Sequence, residues 1–466
     1  MTLAALITLA GVWIGEDVVH PDDQPGPRLI VGCVLVCGFL AVLAISGRMR
    51  CGVLAVLMIA GCARSNHEWS MVGAVRLGPY VGEVIIRSDP QRVGRATQIV
   101  VEVDGQRFEV WGYGAVGTRL SQRSLGEVVW VSGERRPLPT DFARRRHVRH
   151  IVGRFEVQSI GSAAEGPLSR ASPVLLSAHR LRAMLERGSR ALAPHDAALF
   201  TGLVYGDDSD QPADMTERFR RSGLAHLTAV SGQNVAYFLA LLAPLLTRLR
   251  RPLRWGASLL AVGWFVVLTR FEPSVIRAGL MAAVAGTVFA LGRQASSRTV
   301  LGLAVILGLL IDPFLAWSVG WWLSVCGTAG LIMATPVLTG SATTQRKWVL
   351  QWVMPMLGAQ IGVLPVSIAV FGVPNALSIP CNLLAVPVAG LVMLIGLPVS
   401  LLAGCLPSSW AAVVMWPLGV GVRWVDTVAA LGDRLRPPAL VNQIVAGALI
   451  ALVIGAIGRS RRSVTT

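Results

Sequence analysis

Long apolar runs occupy both ends of the chain, and a segment of alternating apolar and polar residues separates them. Residues 3–14, 29–45 and 53–63 are almost continuously apolar, as membrane-spanning helices are. Nine further apolar runs follow, at about 233–247, 255–270, 274–291, 299–311, 314–338, 348–372, 375–403, 409–430 and 440–458. The pattern predicts an α-helical polytopic membrane protein with about twelve spans.

The intervening segment, residues 64–161, has the period of half-buried β-strands. Gln98 to Val103 alternates, Asp104-Gly105 follows, and Arg107 to Trp111 continues the pattern, which is the pattern of a β-hairpin. Residues 127–131 and 151–160 also indicate strands. We therefore expect a small all-β domain, in the form of a barrel, inserted between the membrane spans.

These patterns divide the chain into five parts. They are N-terminal spans (1–63), a β domain (64–161), amphipathic helices (162–230), a transmembrane core (231–458) and a basic tail (459–466). Within the third part, residues 172–190 predict an amphipathic helix at the membrane interface. Within the fourth, Val353 to Gly404 is rich in proline and glycine, and we expect broken or re-entrant helices there.

Composition supports a membrane protein and adds a strong positive charge. The chain is 53% hydrophobic, has a mean hydropathy of +0.60 and carries a net charge of +16. Lys347 is its only lysine, so arginine supplies nearly all of the positive charge. Arginine suits bidentate phosphate contacts. A GC-rich genome, together with the preference for basic residues in cytoplasmic loops, would also explain the high arginine content. Both interpretations remain open.

The loops between the apolar runs predict an orientation. Basic segments at 248–254, 293–298, 346–347 and 459–462 alternate with acidic or neutral connections. By the positive-inside rule both termini are cytoplasmic and the β domain is extracytoplasmic. Arg423, Arg434 and Arg436 fit this arrangement poorly.

The sequence offers little catalytic chemistry. A Walker A loop needs a Gly-Lys pair, and Lys347 follows Arg346. The seven histidines form no close-set cluster, and no cysteine lies between Cys62 and Cys326, so a metal site is not expected. We predict no catalytic residue, no metal, no cofactor and no enzymatic activity.

One polar stretch, Leu203 to Leu242, joins the amphipathic helices to the transmembrane core. It contains an acidic turn around Asp207, and a short helix is predicted between Pro212 and Gly223. Ser231-Gly232 then precedes an apolar run, where it is placed to cap the next helix. The free N–H groups and positive dipole end of such a helix attract anions such as phosphate.

Several motifs in this half of the chain resemble the ComEC/Rec2 family of competence proteins, the inner-membrane channels of bacterial DNA uptake. They are GLVYGDDSD (202–210), F-R-x-S-G-L-A-H-L-x-A-V-S-G (219–232), PSVIRAGLM (273–281), DPFLAWSVGWWLSVCGTAGL (312–331), and AQIGVLPVSIAVFG with PCNLLAVPVAG (359–390). The resemblance implies passage of single-stranded DNA through the bacterial cytoplasmic membrane. It also implies an OB-like identity for the β domain, a cytoplasmic ATP-driven motor and an extracytoplasmic DNA receptor as partners. Family members commonly carry a C-terminal metallo-β-lactamase-like domain, and we expect this form to lack it.

Eight residues are candidates for the DNA path or its entry: Asp207, His226, Ser231, Gly232, Asn234, Arg277, Gln360 and Asn382. Asp207 matches the family motif, whereas Asn234 stands where the family often has histidine. Arg277 lies inside a span, where it either meets a phosphate or pairs with Glu272, Asp207 or another carboxylate. Gln360, Asn375 and Asn382 either line a pore or bond neighbouring helices. His226 is a packing residue, a ligand or a proton relay.

A second candidate is the basic cluster of the β domain, Arg144, Arg145, Arg146 and Arg149. It is a phosphate-tracking patch, a solvated loop or a contact with lipid headgroups. Three functions follow from these observations: a channel for single-stranded DNA, a transporter for a small anionic solute, or a non-transporting scaffold in the envelope. The lipid bilayer is a partner in each of them, and self-association remains open.

Overall fold

The computed structural model describes residues 2–19, 48–161, 173–228, 232–339, 344–445 and 447–448. The chain forms two compact units. The first comprises Met1–His179 and Val305–Ser318, and the second comprises Arg180–Ala304 and Val319–Thr466. The predicted span at 29–45, the basic tail and most of the run at 440–458 lie outside the described residues.

The first unit begins with two closely packed helices, α1 (Thr2–Val19) and α2 (Arg48–Gly73). A Cβ on Gly11 would lie 2.2 Å from the Met58 carbonyl oxygen, so glycine permits this approach. Helix α2 continues ten residues past position 63, where the polar segment begins in the sequence. An Arg64–Glu68 ion pair one turn apart, at 2.9 Å, supports this polar extension.

A small six-stranded barrel follows α2. Its strands are β1 (Gly78–Ile86), β2 (Gln91–Val93), β3 (Ala96–Val103), β4 (Gln106–Tyr113), β5 (Val128–Pro137) and β6 (Ile151–Ile160). The strand order is β1-β5-β6-β4-β3-β2, and an additional β1–β3 pairing closes the sheet. Every pair is antiparallel except β4–β6. The prediction of a small barrel is confirmed.

The predicted hairpin is confirmed as the β3–β4 pair. Val103 opposes Gln106 across a two-residue turn, and Asp104 and Gly105 have φ values of 50° and 79°. Positive φ at both central residues is the requirement of a type I′ turn, which the Asp-Gly pair satisfies. Two short helices between strands were not predicted, α3 (Gly114–Ser121) and α4 (Thr140–His147).

The barrel core extends to aromatic side chains from outside the sheet. Trp69 of α2 and Phe314 are buried in the same cluster as Ile99, Phe108 and Phe155. The Trp69 and Phe314 rings meet edge to face with centroids 5.0 Å apart, a favourable geometry. Phe314 lies on a 3₁₀ turn (Pro313–Trp317), so the barrel is anchored to helical segments within the first unit.

The second unit is helical. Its helices are α5 (Pro173–Ser189, whose first turns belong to the first unit), α6 (Pro194–Tyr205), α7 (Ala213–Ser222), α8 (Ala225–Thr228), α9 (Gly232–Leu246), α10 (Arg251–Leu268), α11 (Pro273–Ala290), α12 (Ser297–Ile311, shared with the first unit), α13 (Val319–Thr339), α14 (Thr344–Phe371), α15 (Ser378–Ala403) and α16 (Ser408–Arg434). Residues 439–445 are also helical. Most bounds lie within a few residues of the predicted apolar runs.

Among the described residues, four helical stretches are long and apolar enough to cross a membrane: Pro273–Ala290, Met354–Phe371, Ser378–Ala403 and Ser408–Arg434. Shorter apolar helices are Leu3–Ile14, Gly232–Leu246, Ser297–Ile311 and Val319–Ala334. The chain is therefore a mostly helical membrane protein with a small barrel, and the count of about twelve spans stays a prediction.

The expectation of broken helices between Val353 and Gly404 is wrong for the described residues. Helix α14 continues through Pro355 and Pro365, and α15 continues through Pro387 and Pro398. A proline removes one backbone hydrogen bond, but neighbouring helices accommodate that loss in membrane proteins. The chain turns between the two helices at residues 372–377.

The interpretation of residues 172–190 as an interfacial helix also needs correction. Helix α5 forms as predicted, but Leu185 is fully buried in the core of the second unit, together with Leu199, Phe200 and Met215. A Cβ on Gly188 would clash with the Ser400 backbone. The apolar stripe of α5 therefore packs against protein, because α6 and α15 supply a matching apolar surface.

Candidate functional site

The acidic turn after α6 is held by a buried arginine. Helix α6 ends at Gly206 in the left-handed conformation (φ 75°), which glycine adopts without strain. The next residue, Asp207, accepts hydrogen bonds at Oδ1 from the Ser209 backbone N–H (3.2 Å) and hydroxyl (2.6 Å). Its Oδ2 lies 2.5 Å from Nη2 of Arg182 on α5. Asp207 therefore fixes the turn and neutralises Arg182.

Arg182 connects three elements of the second unit. Only 7% of this residue is exposed, and its Nη1 donates to the Leu268 carbonyl at the end of α10 (3.2 Å). Its guanidinium also lies 5.1 Å from the centre of the Tyr205 ring, a cation–π contact. Sequence reasoning missed this residue as a functional candidate, although its position one turn before Leu185 on the apolar stripe indicated burial.

The acidic groups of the turn differ in their pKa values because their surroundings differ. Burial acts to raise the pKa of Asp207, but the Arg182 charge and the Ser209 hydrogen bonds outweigh it and lower that pKa. Burial raises the pKa of Asp208. Burial, followed by the Asp207 charge, raises the pKa of Glu186 and of Tyr205. The surroundings of Asp207 therefore favour its ionised form.

His226 lies on α8, after the helix that was predicted between Pro212 and Gly223. That helix, α7, is observed, with Pro212 at its start and Gly223 (φ 78°) at its end. The His226 side chain is exposed, yet desolvation by the surrounding protein lowers its pKa. The His226 side chain is therefore accessible, and its surroundings favour the neutral imidazole.

Arg277 of α11 approaches the first residue of α9. Arg277 is 6% exposed, its Nε donates to the Ser324 hydroxyl (2.7 Å) and its Nη1 lies 3.0 Å from the Met281 sulfur. A Cβ on Gly232 would lie 2.5 Å from Arg277 Nη2. The guanidinium therefore packs directly against the start of α9, and a larger residue at position 232 would make it shift. Ser231 lies outside the described residues.

No carboxylate pairs with Arg277 among the residues that the structure describes. The predicted alternative of an ion pair with Asp207 is not observed, because Asp207 binds Arg182. A buried, unneutralised guanidinium is costly, and the positive end of the α9 dipole adds to the same local potential. The arrangement favours an anion at the junction of Gly232 and Arg277, which we call the α9 junction.

The candidate amides differ in how they are used. Asn234 is 3% exposed, and its Nδ2 donates to the Leu203 carbonyl (3.3 Å) near the end of α6. It lines a cavity of about 10 Å³ together with Tyr237 and Leu397. Asn234 thus links α9 to α6.

Asn382 and Gln360 leave polar groups unused. Asn382 is 4% exposed, and its buried Oδ1 has no hydrogen-bond partner among the described residues. Gln360 is half-buried on α14, again without a described side-chain hydrogen bond. In contrast, Asn375 donates to the Arg221 and Gly432 carbonyls (3.0 and 3.3 Å). Asn375 therefore connects the turn to two helices, whereas the other two amides are available to a polar ligand.

The basic cluster of the barrel is partly neutralised. Arg144 pairs with Glu16 of α1, and Arg146 lies 2.8 Å from Glu109, a β4 residue that is 1% exposed. These two arginines hold α4 in place and are not free for phosphate. Arg145 and Arg149 are exposed and have no carboxylate partner among the described residues. The four residues therefore do not form one uniform patch.

Comparison with known proteins places this site inside a recognised family region. The sequence model of the family described as "Competence protein" matches residues 203–462. That range begins at the end of α6 and contains the acidic turn, His226, the α9 junction and both amide-bearing helices. No solved structure matches the chain.

Individual relatives agree with this match. The chain is 25% identical over 289 residues to ComE operon protein 3 of Bacillus subtilis, which covers 61% of this chain and 36% of the relative. It is 31% identical over 194 residues to competence protein ComA of Neisseria gonorrhoeae, a match that covers 39% of this chain and 28% of the relative. It is also 31% identical over 220 residues to the uncharacterized protein YcaI of Escherichia coli, a match that covers 44% of this chain and 28% of the relative. The matches span about a third of the length of these curated relatives.

The family match covers more than half of the chain, and the motifs within it are those that form the acidic turn and the α9 junction. The chain therefore belongs to the competence protein family, of the ComEC/Rec2 type.

Proposed function

We propose that this protein is a channel that passes single-stranded DNA through the bacterial cytoplasmic membrane during natural transformation. The observation that carries the proposal is the α9 junction. There a buried arginine without a described carboxylate partner faces the start of a helix within the family's matched region. The backbone phosphates of a DNA strand are the ligand that this charge arrangement suits.

The chemistry of the junction fits a passing polyanion. Hydrogen bonds from arginine to phosphate are charge-assisted and roughly twice as strong as neutral ones, and the α9 dipole adds roughly 0.3–1 kcal/mol for an anion. At the α9 junction Arg277 contributes a single positive charge, so each phosphate would bind weakly enough to dissociate. His226 and the unpaired Asn382 carbonyl offer neutral contacts in the same family region.

The described arrangement is closed beside α9. The cavity next to Asn234 has a volume of about 10 Å³, which is water-sized. A strand of stacked bases is far larger, so transport requires α9 to move away from α15. The link from Asn234 to α6 is a contact that this movement would break.

The finer architecture belongs to the same proposal. We propose about twelve spans, cytoplasmic termini and an OB-like barrel on the outer side. The closed circuit of strands with one parallel pair supports the OB-like assignment. Exposed Tyr113, Trp130 and Arg145 offer stacking and phosphate contacts to an incoming strand. We further propose that the chain is not an enzyme and that a cytoplasmic ATP-driven motor and an outer DNA receptor act with it.

Gene deletion followed by complementation tests the proposal. A deletion strain should lose uptake of labelled DNA, and the wild-type gene should restore it. Arg277→Ala should restore at most about a tenth of uptake, since one charge-assisted contact is worth about 1.5–3 kcal/mol, while membrane levels stay normal. Arg293→Ala, which removes an exposed arginine after the same helix, is the matched control. Normal DNA uptake in the deletion strain contradicts the channel and leaves the solute transporter and the scaffold.

A further inference from the structure

A second arginine-bearing site lies at the other end of α10 and α11, away from the α9 junction. A groove of about 140 Å³ runs between α9, α10 and α11. Arg251 and Arg254 stand at one end, and the walls include Leu259, Val262, Ala282 and Phe289. We propose that this groove binds one phospholipid with an anionic headgroup, its phosphate between the two arginines and an acyl chain along the apolar walls.

The positive charge at this end of the helices is not neutralised by carboxylates in the part of the chain that the structure describes. Residues 247–254 and 291–298 contain six arginines and no aspartate or glutamate. Neither Arg251 nor Arg254 has a carboxylate partner among the described residues. The two helices run antiparallel, since the Trp255 indole N–H of α10 donates to the Thr287 hydroxyl of α11 (3.1 Å). Both arginine-rich loops therefore lie at the same end, and Arg251 and Arg254 are the two of these arginines that line the groove.

The shape of the groove favours a lipid over a free phosphate or a nucleic acid. Arg251 and Val262 are eleven residues apart on α10, or about 16 Å at the helical rise. That distance matches one leaflet of hydrocarbon, about 15 Å. Apart from Ser258, the walls beyond the arginines are apolar, and Phe289 is exposed. An acyl chain would therefore cover surface that a strand of DNA would not.

Two features locate the occupant. Trp255 lies beside the arginines, at the depth where tryptophan meets lipid headgroups. A Cβ on Gly286 would meet no atom within 4 Å, so the groove stays open at that point of the α11 wall. A large side chain at residue 286 would fill the groove without disturbing the helices.

Native mass spectrometry of the full purified chain tests the proposal, with phosphatidylglycerol and phosphatidylcholine of identical acyl chains. We expect the anionic lipid to bind about tenfold more tightly, as one charge-assisted phosphate contact allows. Arg251→Gln with Arg254→Gln should remove that preference. The matched control, Arg248→Gln with Arg250→Gln, removes two exposed arginines outside the groove and should retain it. Equal binding of both lipids to the wild type, or equal loss in both double variants, overturns the proposal.

A second variant tests the groove itself. Gly286→Leu should weaken the binding of the anionic lipid about tenfold, whereas Gly263→Leu, at an exposed glycine of α10 with no atom near its Cβ, should leave it unchanged. A competition experiment distinguishes a lipid headgroup from other phosphate-containing ligands. If glycerol phosphate or a single-stranded oligonucleotide displaces the lipid at equal phosphate concentration, the site recognises phosphate alone and the lipid proposal is wrong.

Discussion

Two buried arginines of the second unit have different electrostatic surroundings, and this difference suggests different roles for the two side chains. Arg182 is neutralised by Asp207 and bonded to the end of α10. Arg277 has a hydroxyl and a thioether as its described side-chain partners. Proteins rarely retain a buried charge without compensation. Arg182 therefore contributes to stability, and Arg277 remains the residue that we propose for the DNA path.

The Arg182–Asp207 pair should behave as one unit in a double-mutant cycle. Asp207→Asn leaves a buried guanidinium without its partner and should destabilise the protein by about 3–5 kcal/mol, and Arg182→Met with Asp207→Asn should recover much of that loss. Thermal unfolding of the detergent-solubilised chain measures both. Additive losses in the double variant would show that the two side chains act independently.

The same pair predicts a pH dependence. The pKa of Asp207 is lowered in the folded protein, so its contribution to stability is present above its unfolded pKa of about 4 and is lost as pH falls through the lowered value. The wild-type melting temperature should therefore fall more steeply than that of Asp207→Asn as the pH is lowered below about 4. Parallel curves for the two proteins would contradict this assignment.

At the residue scale, the sequence motifs predicted which polar residues to inspect, but not which side chains pair with each other. The motifs drew attention to Asp207, Gly232 and Arg277, and all three occupy the acidic turn or the α9 junction. The partner of Asp207 was not predictable, because Arg182 lies 25 residues earlier and reaches it only through the packing of α5 on α6. Tertiary contacts of this kind leave no local pattern.

At the scale of elements, glycines fix how closely two helices approach. A Cβ on Gly330 of α13 would lie 2.0 Å from the Gly358 carbonyl oxygen of α14. Gly362 is similarly restricted, because a Cβ added there would lie 2.2 Å from the Cys326 carbonyl oxygen. These contacts hold α13 and α14 together as a hairpin, which explains how α14 stays helical through its two prolines.

This contact predicts a position-dependent glycine effect. Gly330→Ala should destabilise the protein by about 1–3 kcal/mol, because the added methyl group forces two backbones apart. Gly256→Ala, at an open position of α10, should be neutral or stabilising by up to about 1 kcal/mol through helix propensity. Unfolding midpoints of the two variants in the same detergent provide the comparison, and equal midpoints would contradict the close packing.

The elements themselves were largely readable from the sequence. Long apolar runs and the Asp104-Gly105 turn are local signals, and the helices and the β3–β4 hairpin follow them. Helix α4 was missed because its sequence, TDFARRRH, has almost no apolar period. It is held instead by ion pairs of Arg144 and Arg146 with distant carboxylates. The apolar stripe of α5 was read correctly, but a sequence does not state whether protein or lipid covers such a stripe.

At the scale of the whole molecule, the orientation can be tested directly. We expect the barrel outside and the loop between α9 and α10 in the cytoplasm, because that loop is rich in arginine. In a cysteine-free background, Arg92→Cys on β2 should react with an impermeant maleimide in intact spheroplasts. Arg250→Cys should react only after permeabilisation. The reverse pattern would invert the proposed topology.

Current through a planar bilayer is the most direct measurement of whether this protein conducts a polyanion. The reconstituted chain should open an ion-conducting path, and single-stranded oligonucleotides drawn by the applied voltage should block it for times that increase with their length. Arg277→Ala should shorten those blockades, whereas Arg293→Ala should not. Ion conduction that single-stranded DNA never interrupts, or blockades that are independent of strand length, would contradict the channel.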